Sequence, residues 1–523
     1  MPALCLLLAM QAPAARGQPA EVGRAPGGAA ASRGADFDLR RDFAARGDGK
    51  SDDTKALQGF LDACVASGGR CFAPAGTYTH TGLTLDTTRR TAGIVIQGAG
   101  AGATVWKLRP GSTGHALTIV GSGGYGNQSR PRIADLTIDG SGTGLDGIHF
   151  ADLKHDATAL GGYYQGADLR DVTVKFAGRD GVYVGLSVNA GQSFNLWVAH
   201  PRRNGLTING AGDWRFLNSQ FYGAQRAGLP ITGIADNGSG AARVTTYRPH
   251  GLASGTLVDA WGMNGVAGAR GTWKVAVVDA NHLDLLGSRF TPDWIDSGWI
   301  VPILDIAGAA RSPEGAVRIT TALPHGQQTG DQVFVRDMLG LPANGHWIVT
   351  VVDERTLDLQ NAKHIRPYTG GGTLRPATFG VAITSPAANF FSDCTIYSSM
   401  IGLSVTSNSG NIVKFSGGEI NGNWMGGFSI ASLGYYAPNA ITNVELGANS
   451  NIKAGAYSDI LLMNTGATAI VGNQFVLQGM PAKFLVEAVE PTDGIVWSAN
   501  AYTTHERAPP FAAAPLGGVK LRQ

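Results

Sequence analysis

Residues Asp42–Tyr78 read DFAARGDGKSDDTKALQGFLDACVASGGRCFAPAGTY, and this stretch decides the fold. Ser51, Asp52 and Asp53 supply a helix N-cap and first-turn carboxylates. The glycine pair Gly68–Gly69 ends that helix, and a short strand follows it. The apolar residues recur at the spacing of one helical face: Leu57, Phe60, Leu61, Cys64 and Val65. The stretch therefore predicts an amphipathic helix that covers the open end of a strand stack.

Downstream of this helix, a glycine followed by an apolar-x-apolar triplet recurs along the chain. It is found at Gly147, Gly181, Gly205, Gly402 and Gly427, each time after a companion strand. The step is 24 residues from Gly181 to Gly205 and 25 residues from Gly402 to Gly427. A constant step with a two-residue side-chain period predicts one solenoid coil per repeat.

The repeat is interrupted once, between residues 228 and 380. Without residues 229–379 the step is restored, with 23 residues from Gly205 to Gly228 and 22 from Gly380 to Gly402. The interrupting segment is itself a tandem repeat, because RVTT, PHG, GTW, VD and LDL recur as RITT, PHG, GHW, VD and LDL. We predict two small β modules, residues 231–302 and 303–376, inserted into one coil.

The order DFxARGDGxxDDTxALQ, helix, GG and PAGTY resembles the N-terminal part of pectate-lyase-superfamily proteins. These right-handed parallel β-helices include polygalacturonase-like glycosidases, polysaccharide lyases and phage tailspike depolymerases. The resemblance implies an all-β fold, a capping helix and a polysaccharide ligand. The Asn-Thr-Asp, Gly-His-Gly and Arg-Ile-Lys motifs of polygalacturonases are absent, which argues against a hydrolase of that type.

Composition and segment boundaries fit an exported protein. Residues 1–17 resemble a signal peptide and residues 18–35 a flexible lead, so we expect a secreted or periplasmic location. The expected divisions are then 36–228 and 380–505 for the solenoid, 229–379 for the inserted modules and 506–523 for a tail. The 75 glycines and 15% charged residues fit a solenoid, and the net charge of +2 argues against a nucleic-acid partner. No apolar run after the N-terminus is long enough for a membrane span.

Polar and aromatic side chains concentrate on the coils between residues 135 and 226. The middle residue of each triplet points outward, so side chains stack from coil to coil. A hydrolase would draw its two carboxyl groups from the acidic residues of these coils, Asp139, Asp146, Asp180 and Asp213. A lyase acting on uronic acids would need a base and a cation, for which His149, Lys175, Tyr183 and Arg203 are suited.

From these stacks we predict one set of residues for each role. The predicted catalytic residues are Asp180, Arg203, Asp146, His149 and Tyr183. The predicted substrate-binding residues are Lys175, Arg179, Trp197, Tyr222 and Asp139. Because Asp or Asn before Gly also favours turns, the acidic residues at these corners have a purely structural interpretation as well.

The sequence thus predicts an exported lyase or glycoside hydrolase acting on an acidic or substituted polysaccharide along the solenoid. The alternative is a non-catalytic polysaccharide-binding or phage-tail-like protein. No metal-ligand motif or cofactor motif is found; the superfamily resemblance leaves calcium open. The sequence also allows a homotrimer. The spacing of Cys64 and Cys71 predicts a disulfide, whereas Cys394 fits a core position.

Overall fold

The structure is a computed structural model that describes residues 37–503 and 512–513, apart from a set of short segments. The segments left out are 89–92, 122–129, 152–163, 187, 211, 225–226, 264, 295–297, 365, 385–386, 408–411, 433–438, 451–456, 464, 477–481 and 490–493. The predicted signal peptide, the flexible lead and most of the tail lie outside the described residues. None of the helices in the described part has the length and apolar content needed to cross a bilayer.

Most strands of the described residues form two large sheets whose neighbouring strands are parallel. The first, which we call sheet I, contains twenty described strands. They are Phe37–Asp38, Asp48–Asp52, Arg70–Ala73, Gly76–His80, Val95–Gly98, Thr104–Leu108, Arg132–Asp139, Asp168–Lys175, Gln192–Phe194, Trp197–Ala199, Trp214–Leu217, Gln220–Tyr222, Ala388–Tyr397, Ile412–Asn421, Asn439–Thr442, Glu445–Gly447, Thr468–Val471, Gln474–Val476, Ile495–Ser498 and Ala501–Thr503.

Sheet II contains eleven described strands, and the predicted glycine-led triplets lie in it. They are Leu83–Asp86, Leu117–Val120, Ile148–Phe150, Val182–Val184, Leu206–Ile208, Phe379–Ile383, Ile401–Ser407, Phe428–Ser432, Ile460–Met463, Val486–Val489 and Ala512–Ala513. The apolar side chains of both sheets form one continuous core. A further parallel pair joins Tyr164–Gln165 to Val188–Asn189. The predicted parallel β-helix is therefore confirmed.

The N-terminal stretch forms two helices, Leu39–Phe43 and Thr54–Ser67. The longer one confirms the predicted helix, and it ends at Gly68 in the left-handed conformation, with φ of 66°. Its apolar face joins the solenoid core beside the first strands of both sheets. Cys64 and Cys71 form the expected disulfide, and Cys394 is a buried free thiol.

The inserted segment forms sheet III, which is antiparallel and has eleven strands among the described residues. They are Leu229–Asp236, Ala242–Thr246, Leu257–Trp261, Gly271–Val277, His282–Leu286, Trp299–Arg311, Ala316–Thr321, Gln332–Leu339, Gly345–Val351, Thr356–Lys363 and Gly370–Pro376, with a 3-10 helix at Ala267–Ala269. The strand Trp299–Arg311 pairs with both repeats and runs through the expected boundary at 302. On either side of the insertion, Leu206 pairs with Val381, as the restored step predicts.

The two repeats of sheet III make the same internal contacts at equivalent positions. Arg243 forms two hydrogen bonds to Asp284, and Arg318 forms two to Asp358. The histidine of each PHG sequence is buried, with both ring nitrogens bonded to backbone atoms. These contacts show that the Arg, Asp and His residues shared by the two repeats serve the internal structure of each module.

Candidate active site

A row of polar side chains marks the corner that precedes sheet II. His115, Asp146, Asp180 and Asn204 occupy equivalent places in successive coils. In each of the last three, a side-chain oxygen accepts the backbone N–H of the same place one coil further on, at 3.1, 3.1 and 3.0 Å. This corner row satisfies backbone donors that would otherwise be buried without a partner. The structural interpretation of the Asp-Gly pairs therefore has a direct basis, because these aspartates bind the backbone at the coil corner.

Two arginine–carboxylate pairs run along the corner row. Arg179 binds Asp146 through two hydrogen bonds of 2.8 and 2.6 Å, and Arg203 binds Asp180 through two of 2.7 and 2.6 Å. Each arginine comes from the coil after its carboxylate. Asp146 is 1% exposed and Asp180 is fully buried. Asp180 and Arg203 therefore lie side by side, with both groups engaged by each other.

Asp146 also holds two histidines on the solvent side of this corner. Its Oδ2 lies 2.8 Å from Nδ1 of His149 and 3.1 Å from Nδ1 of His115. Burial alone would raise the pKa of Asp146, but hydrogen bonds from His115, His149 and Arg179 hold it well below the ordinary value. Asp146 is therefore an ionised carboxylate that accepts hydrogen bonds from its neighbours and has no proton to donate.

The rings above this carboxylate form a stack that reaches the surface. His115 stacks on His149 at 3.8 Å between ring centroids, and His149 stacks on Tyr183 at 4.9 Å. Arg179 lies over the Tyr183 ring at 5.5 Å, and Asn209 donates a 2.9 Å hydrogen bond to its hydroxyl oxygen. The side chain of His149 is 15% exposed and that of His115 is 20% exposed. We call His115, Asp146, His149, Arg179 and Tyr183 the histidine cluster.

The histidine cluster can perform proton transfer. The Asp146 carboxylate faces Nδ1 of His149, which favours the tautomer with the proton on Nδ1, and we assign this tautomer from the contact. Nε2 of His149 is then left as a base. The Tyr183 hydroxyl oxygen accepts a hydrogen bond from Asn209, and a tyrosine hydroxyl can itself donate a proton as an acid. A base, an acid and a nearby guanidinium are the groups that proton abstraction next to a carboxylate requires.

His115 was not among the predicted residues. Its coil has Ala116 where the later coils have glycine, so the glycine-led series begins one coil too late. The triplet Leu117-Thr118-Ile119 has the required alternation, and this pattern could have revealed the missing coil.

A cavity of about 320 Å³ adjoins the histidine cluster, between the corner row and the inserted modules. Arg179 lines it and belongs to both sites. The solenoid also contributes Arg202 and Arg203, and the first module contributes Arg248. Asp331 is a carboxylate in the wall, and it already accepts the backbone N–H of Gln328. The cavity is therefore predominantly cationic.

The remaining predicted residues lie on sheet I, away from the corner row. Lys175 Nζ is 3.6 Å from Asp139 Oδ2, and Asp139 is 7% exposed. Tyr222 stacks on Tyr397 at 4.6 Å, and Trp197 is 41% exposed. Six of the ten predicted residues thus lie together at the sheet II corner, and these four form a second group.

The donor atoms of His115, Asp146 and His149 lie within 4.8 Å of one another, which is compatible with a metal ion. Two nitrogens and one carboxylate suit a transition metal better than calcium, which prefers several oxygen ligands. The guanidinium of Arg179 already binds both oxygens of this carboxylate. Its positive charge would oppose a cation there, so these residues fit hydrogen bonding better than metal binding.

Comparison with known proteins supports the fold assignment. A family model described as rhamnogalacturonase A/epimerase, pectate lyase-like, matches residues 40–228. This match and the parallel sheets fit a pectate-lyase-like parallel β-helix. The matched residues include the whole histidine cluster.

Two curated relatives are similar to this chain over segments of 152 and 111 residues. Mannuronan C5-epimerase AlgE3 of Azotobacter vinelandii is 38% identical over 152 residues, which is 27% of this chain and 8% of the relative. Alginate lyase 7 of the same organism is 37% identical over 111 residues, covering 20% of this chain and 13% of the relative. The chain therefore matches only a small part of either relative.

Solved structures whose backbone follows a similar path include the A-module of Azotobacter vinelandii mannuronan C-5 epimerase AlgE4. Its sequence identity is 14% and its TM-score 0.42, covering 93% of this chain and 100% of that one. The Dettilon tailspike protein has 9% identity and a TM-score of 0.40, covering 93% of this chain and 68% of that one.

Proposed function

We propose that this protein acts on a uronic-acid polysaccharide by removing the proton at C5 of a sugar residue. This step is shared by β-elimination, catalysed by lyases, and by C5-epimerisation. The observation that carries the proposal is the histidine cluster, in which a buried carboxylate orients a base beside a tyrosine and an arginine. Relatives named as a lyase and as epimerases support the same chemistry.

In the proposed reaction, Nε2 of His149 takes the C5 proton from the face of the sugar that lies against it. In elimination, the C4–C5 double bond forms as the C4–O bond breaks, and Tyr183 gives its proton to the departing oxygen. In epimerisation, a proton from water returns to C5 from the opposite face, and no bond of the chain breaks. The Arg179 guanidinium lies near enough to stabilise the negative charge that develops on the sugar carboxylate.

The other corner residues have positioning roles in this proposal. Asp146 orients both histidines, and its guanidinium partner fixes it in turn. Asp180 and Arg203, which we predicted to be catalytic, are assigned to holding the next coil in register. This assignment follows from the burial of Asp180 and from its two hydrogen bonds to Arg203.

Hydrolysis has weaker support from this arrangement. A glycoside hydrolase needs one protonated carboxylic acid and one free carboxylate beside the bond. Asp146 is held ionised, and Asp180 is buried against a guanidinium. Neither can reach a sugar while it keeps these contacts.

A test uses purified protein with polymannuronate, polyguluronate and homogalacturonan in deuterated water. Ultraviolet-absorbing unsaturated ends identify a lyase, and deuterium at C5 with inverted configuration and no cleavage identifies an epimerase. New reducing ends without either signal would identify a hydrolase and overturn the proposal. A folded His149→Gln variant serves as the control, because it should lose the signal while still binding the polymer.

Polysaccharide binding without catalysis is the second candidate, favoured by the aromatic surface of sheet I. Phe194 and Trp197 are 47% and 41% exposed there, near the Tyr222–Tyr397 stack. Exposed aromatic faces are suited to packing on sugar rings. Binding to the same polymers with no chemical change in the products would favour this candidate.

We further propose that the protein is exported. The support is the signal-like N-terminus together with the Cys64–Cys71 disulfide, since disulfides persist in oxidising compartments. Mass analysis of the protein recovered from culture medium or periplasm would show whether cleavage occurs near residue 17. Light scattering on that material tests the homotrimer that the sequence allows.

A further inference from the structure

One line of outward side chains runs across sheet II from coil to coil, and its exposure changes abruptly. We call this line the outward row. In order it comprises Thr84, Thr118, His149, Tyr183, Thr207, Ala382, Ser404, Ser429, Leu461 and Glu487. The first five are at least partly exposed, whereas the last five are all buried, at 1, 0, 2, 7 and 7%. The change falls where the insertion interrupts the chain.

The inserted modules cover the second half of the row. Nδ1 of His346 lies 2.8 Å from the Ser404 hydroxyl, and the backbone N–H of His346 donates to the hydroxyl oxygen of Thr406. Further along, Arg336 binds Glu487 at 3.1 Å. An apolar cluster completes the contact, with Trp261, Phe334, Met400, Met425 and Leu461 among its members.

A buried ionic contact fixes the modules in this position. The Arg375 guanidinium bonds Asp259 at 2.9 Å and the Tyr457 hydroxyl at 2.8 Å, and that hydroxyl also bonds Asp259 at 2.8 Å. Asp259 belongs to the first module, Arg375 to the second, and Tyr457 to the solenoid. The inserted modules are therefore both held against the solenoid. The groove, by which we mean the surface over the outward row of sheet II, is closed from Ala382 onwards.

The cationic cavity lies at the closed end of this groove. Its Arg179 and Arg203 are neutralised by Asp146 and Asp180, whereas none of the ion pairs between described residues involves Arg202 or Arg248. Neighbouring coils are about 4.8 Å apart, so His149 and Thr207 are separated by roughly 10 Å along the row. The space between the proton-transfer groups and the cover is short compared with a polysaccharide.

We propose that the inserted modules make this enzyme specific for chain ends. The polymer enters along the open half of the row, over Thr118 and Thr84, and its terminal residue stops against the modules. The carboxylate of that residue lies in the cationic cavity, where Arg202 and Arg248 bind it. This inference rests on the proposed C5 chemistry and adds where along the chain that chemistry takes place.

The test follows the position of the reaction in size-defined oligomannuronates and oligogalacturonates incubated in deuterated water. Tandem mass spectrometry of the products locates deuterium and unsaturated residues along each chain. We expect deuterium only at the residues nearest one chain end, and elimination products whose lengths place the cleavage next to that same end, at every substrate length. Signals distributed over interior residues would overturn the inference while leaving the proposed C5 chemistry intact.

Arginine variants test the cavity separately from catalysis. Calorimetric binding of the same oligouronates should weaken roughly tenfold in Arg202→Gln and in Arg248→Gln, because each loses one charge-assisted hydrogen bond. Arg215→Gln is the matched control, since Arg215 is an exposed arginine on sheet I outside the cavity. Unchanged affinity in both cavity variants would overturn the inference even if no turnover is detected.

Discussion

The coils before the insertion and the coils after it share one strand pattern and one register, yet their outward side chains face different surroundings. Before the insertion the row carries His149 and Tyr183 at a surface. After it, Ser404 and Ser429 occupy the same places and are buried under the modules. The small polar residues of the later coils thus belong to an interface. A solenoid position acquires its role from what covers it, and the repeat alone does not specify that role.

The strongest test of this comparison removes the reactive groups from the open half of the row. We expect His149→Ala and Tyr183→Phe each to lower kcat by about 10²–10⁴-fold, the usual contribution of a general acid or base. Their melting temperatures should stay near the wild-type value, because both side chains reach the surface. Activity assays on the polyuronate panel, with thermal melts of the same samples, measure both quantities.

Arg215→Gln is the control for these two variants, since its exposed side chain lies on sheet I, outside the histidine cluster and the outward row. It should keep wild-type kcat. Wild-type turnover in both His149→Ala and Tyr183→Phe would move the reaction to another surface, and the Lys175, Asp139 and Tyr222 group on sheet I would be the next candidate.

A second test concerns the ion pair that holds the open coils together. In Asp180→Asn the guanidinium of Arg203 loses its buried counter-charge, which should lower the free energy of unfolding by about 3 kcal/mol. Activity per folded molecule should persist, because Asn can still accept the backbone N–H of residue 204. Urea unfolding and active-fraction assays separate the two effects.

Asp284→Asn provides the matched comparison for Asp180→Asn. It breaks the similar two-hydrogen-bond pair with Arg243, whose side chain is 34% exposed in the first module. Exposed pairs contribute roughly 0–1 kcal/mol, so the loss should be small. Equal losses in the two variants would contradict the structural role assigned to Asp180.

A third test contrasts two buried aspartates on either side of the insertion. Burial raises the pKa of Asp459 to about 7, with only a partial opposing effect from its hydrogen bond with Asn449. Asp146, with two histidines and an arginine, has its pKa lowered instead. Since folded Asp459 binds a proton that the unfolded chain has released, stability should fall as pH rises from about 4 to about 7.

The variant Asp459→Asn should remove that contribution. We expect wild-type stability to decline in this window by up to roughly 1.4 kcal/mol per pH unit relative to the variant. Urea unfolding at several pH values measures the difference. Parallel pH profiles for the two proteins would show that Asp459 does not titrate in the folded state as proposed.

Much of this architecture could be predicted from the sequence because its determinants are local. The helical spacing of Leu57, Phe60 and Leu61 and the two-residue alternation of the triplets specify their elements directly. The constant step also specifies register, so the pairing of Leu206 with Val381 across the insertion followed from counting residues.

The candidate site was only partly predictable, for reasons that are physical. An Asp-Gly pair in the sequence does not show whether the aspartate is buried, as Asp180 is, or available to a ligand. His115 was missed because its coil replaces the marker glycine with alanine. The cover over Ser404 depends on His346, a contact between segments that no local pattern connects.

The smallest expected effect tests the cover itself. Ser404→Ala removes a buried hydroxyl that is bonded to His346, whose ring burial lowers its pKa to about 3 and so keeps it neutral. Losing one neutral hydrogen bond should cost about 1 kcal/mol, measured by urea unfolding. Thr118→Ala removes a hydroxyl at the equivalent place on the open half of the row and should change stability by less than about 0.5 kcal/mol. Because the two positions share register and strand geometry, the difference between the variants measures what the modules contribute. Equal changes would mean that Ser404 is as free of the modules as Thr118, and the groove would then be open along its full length.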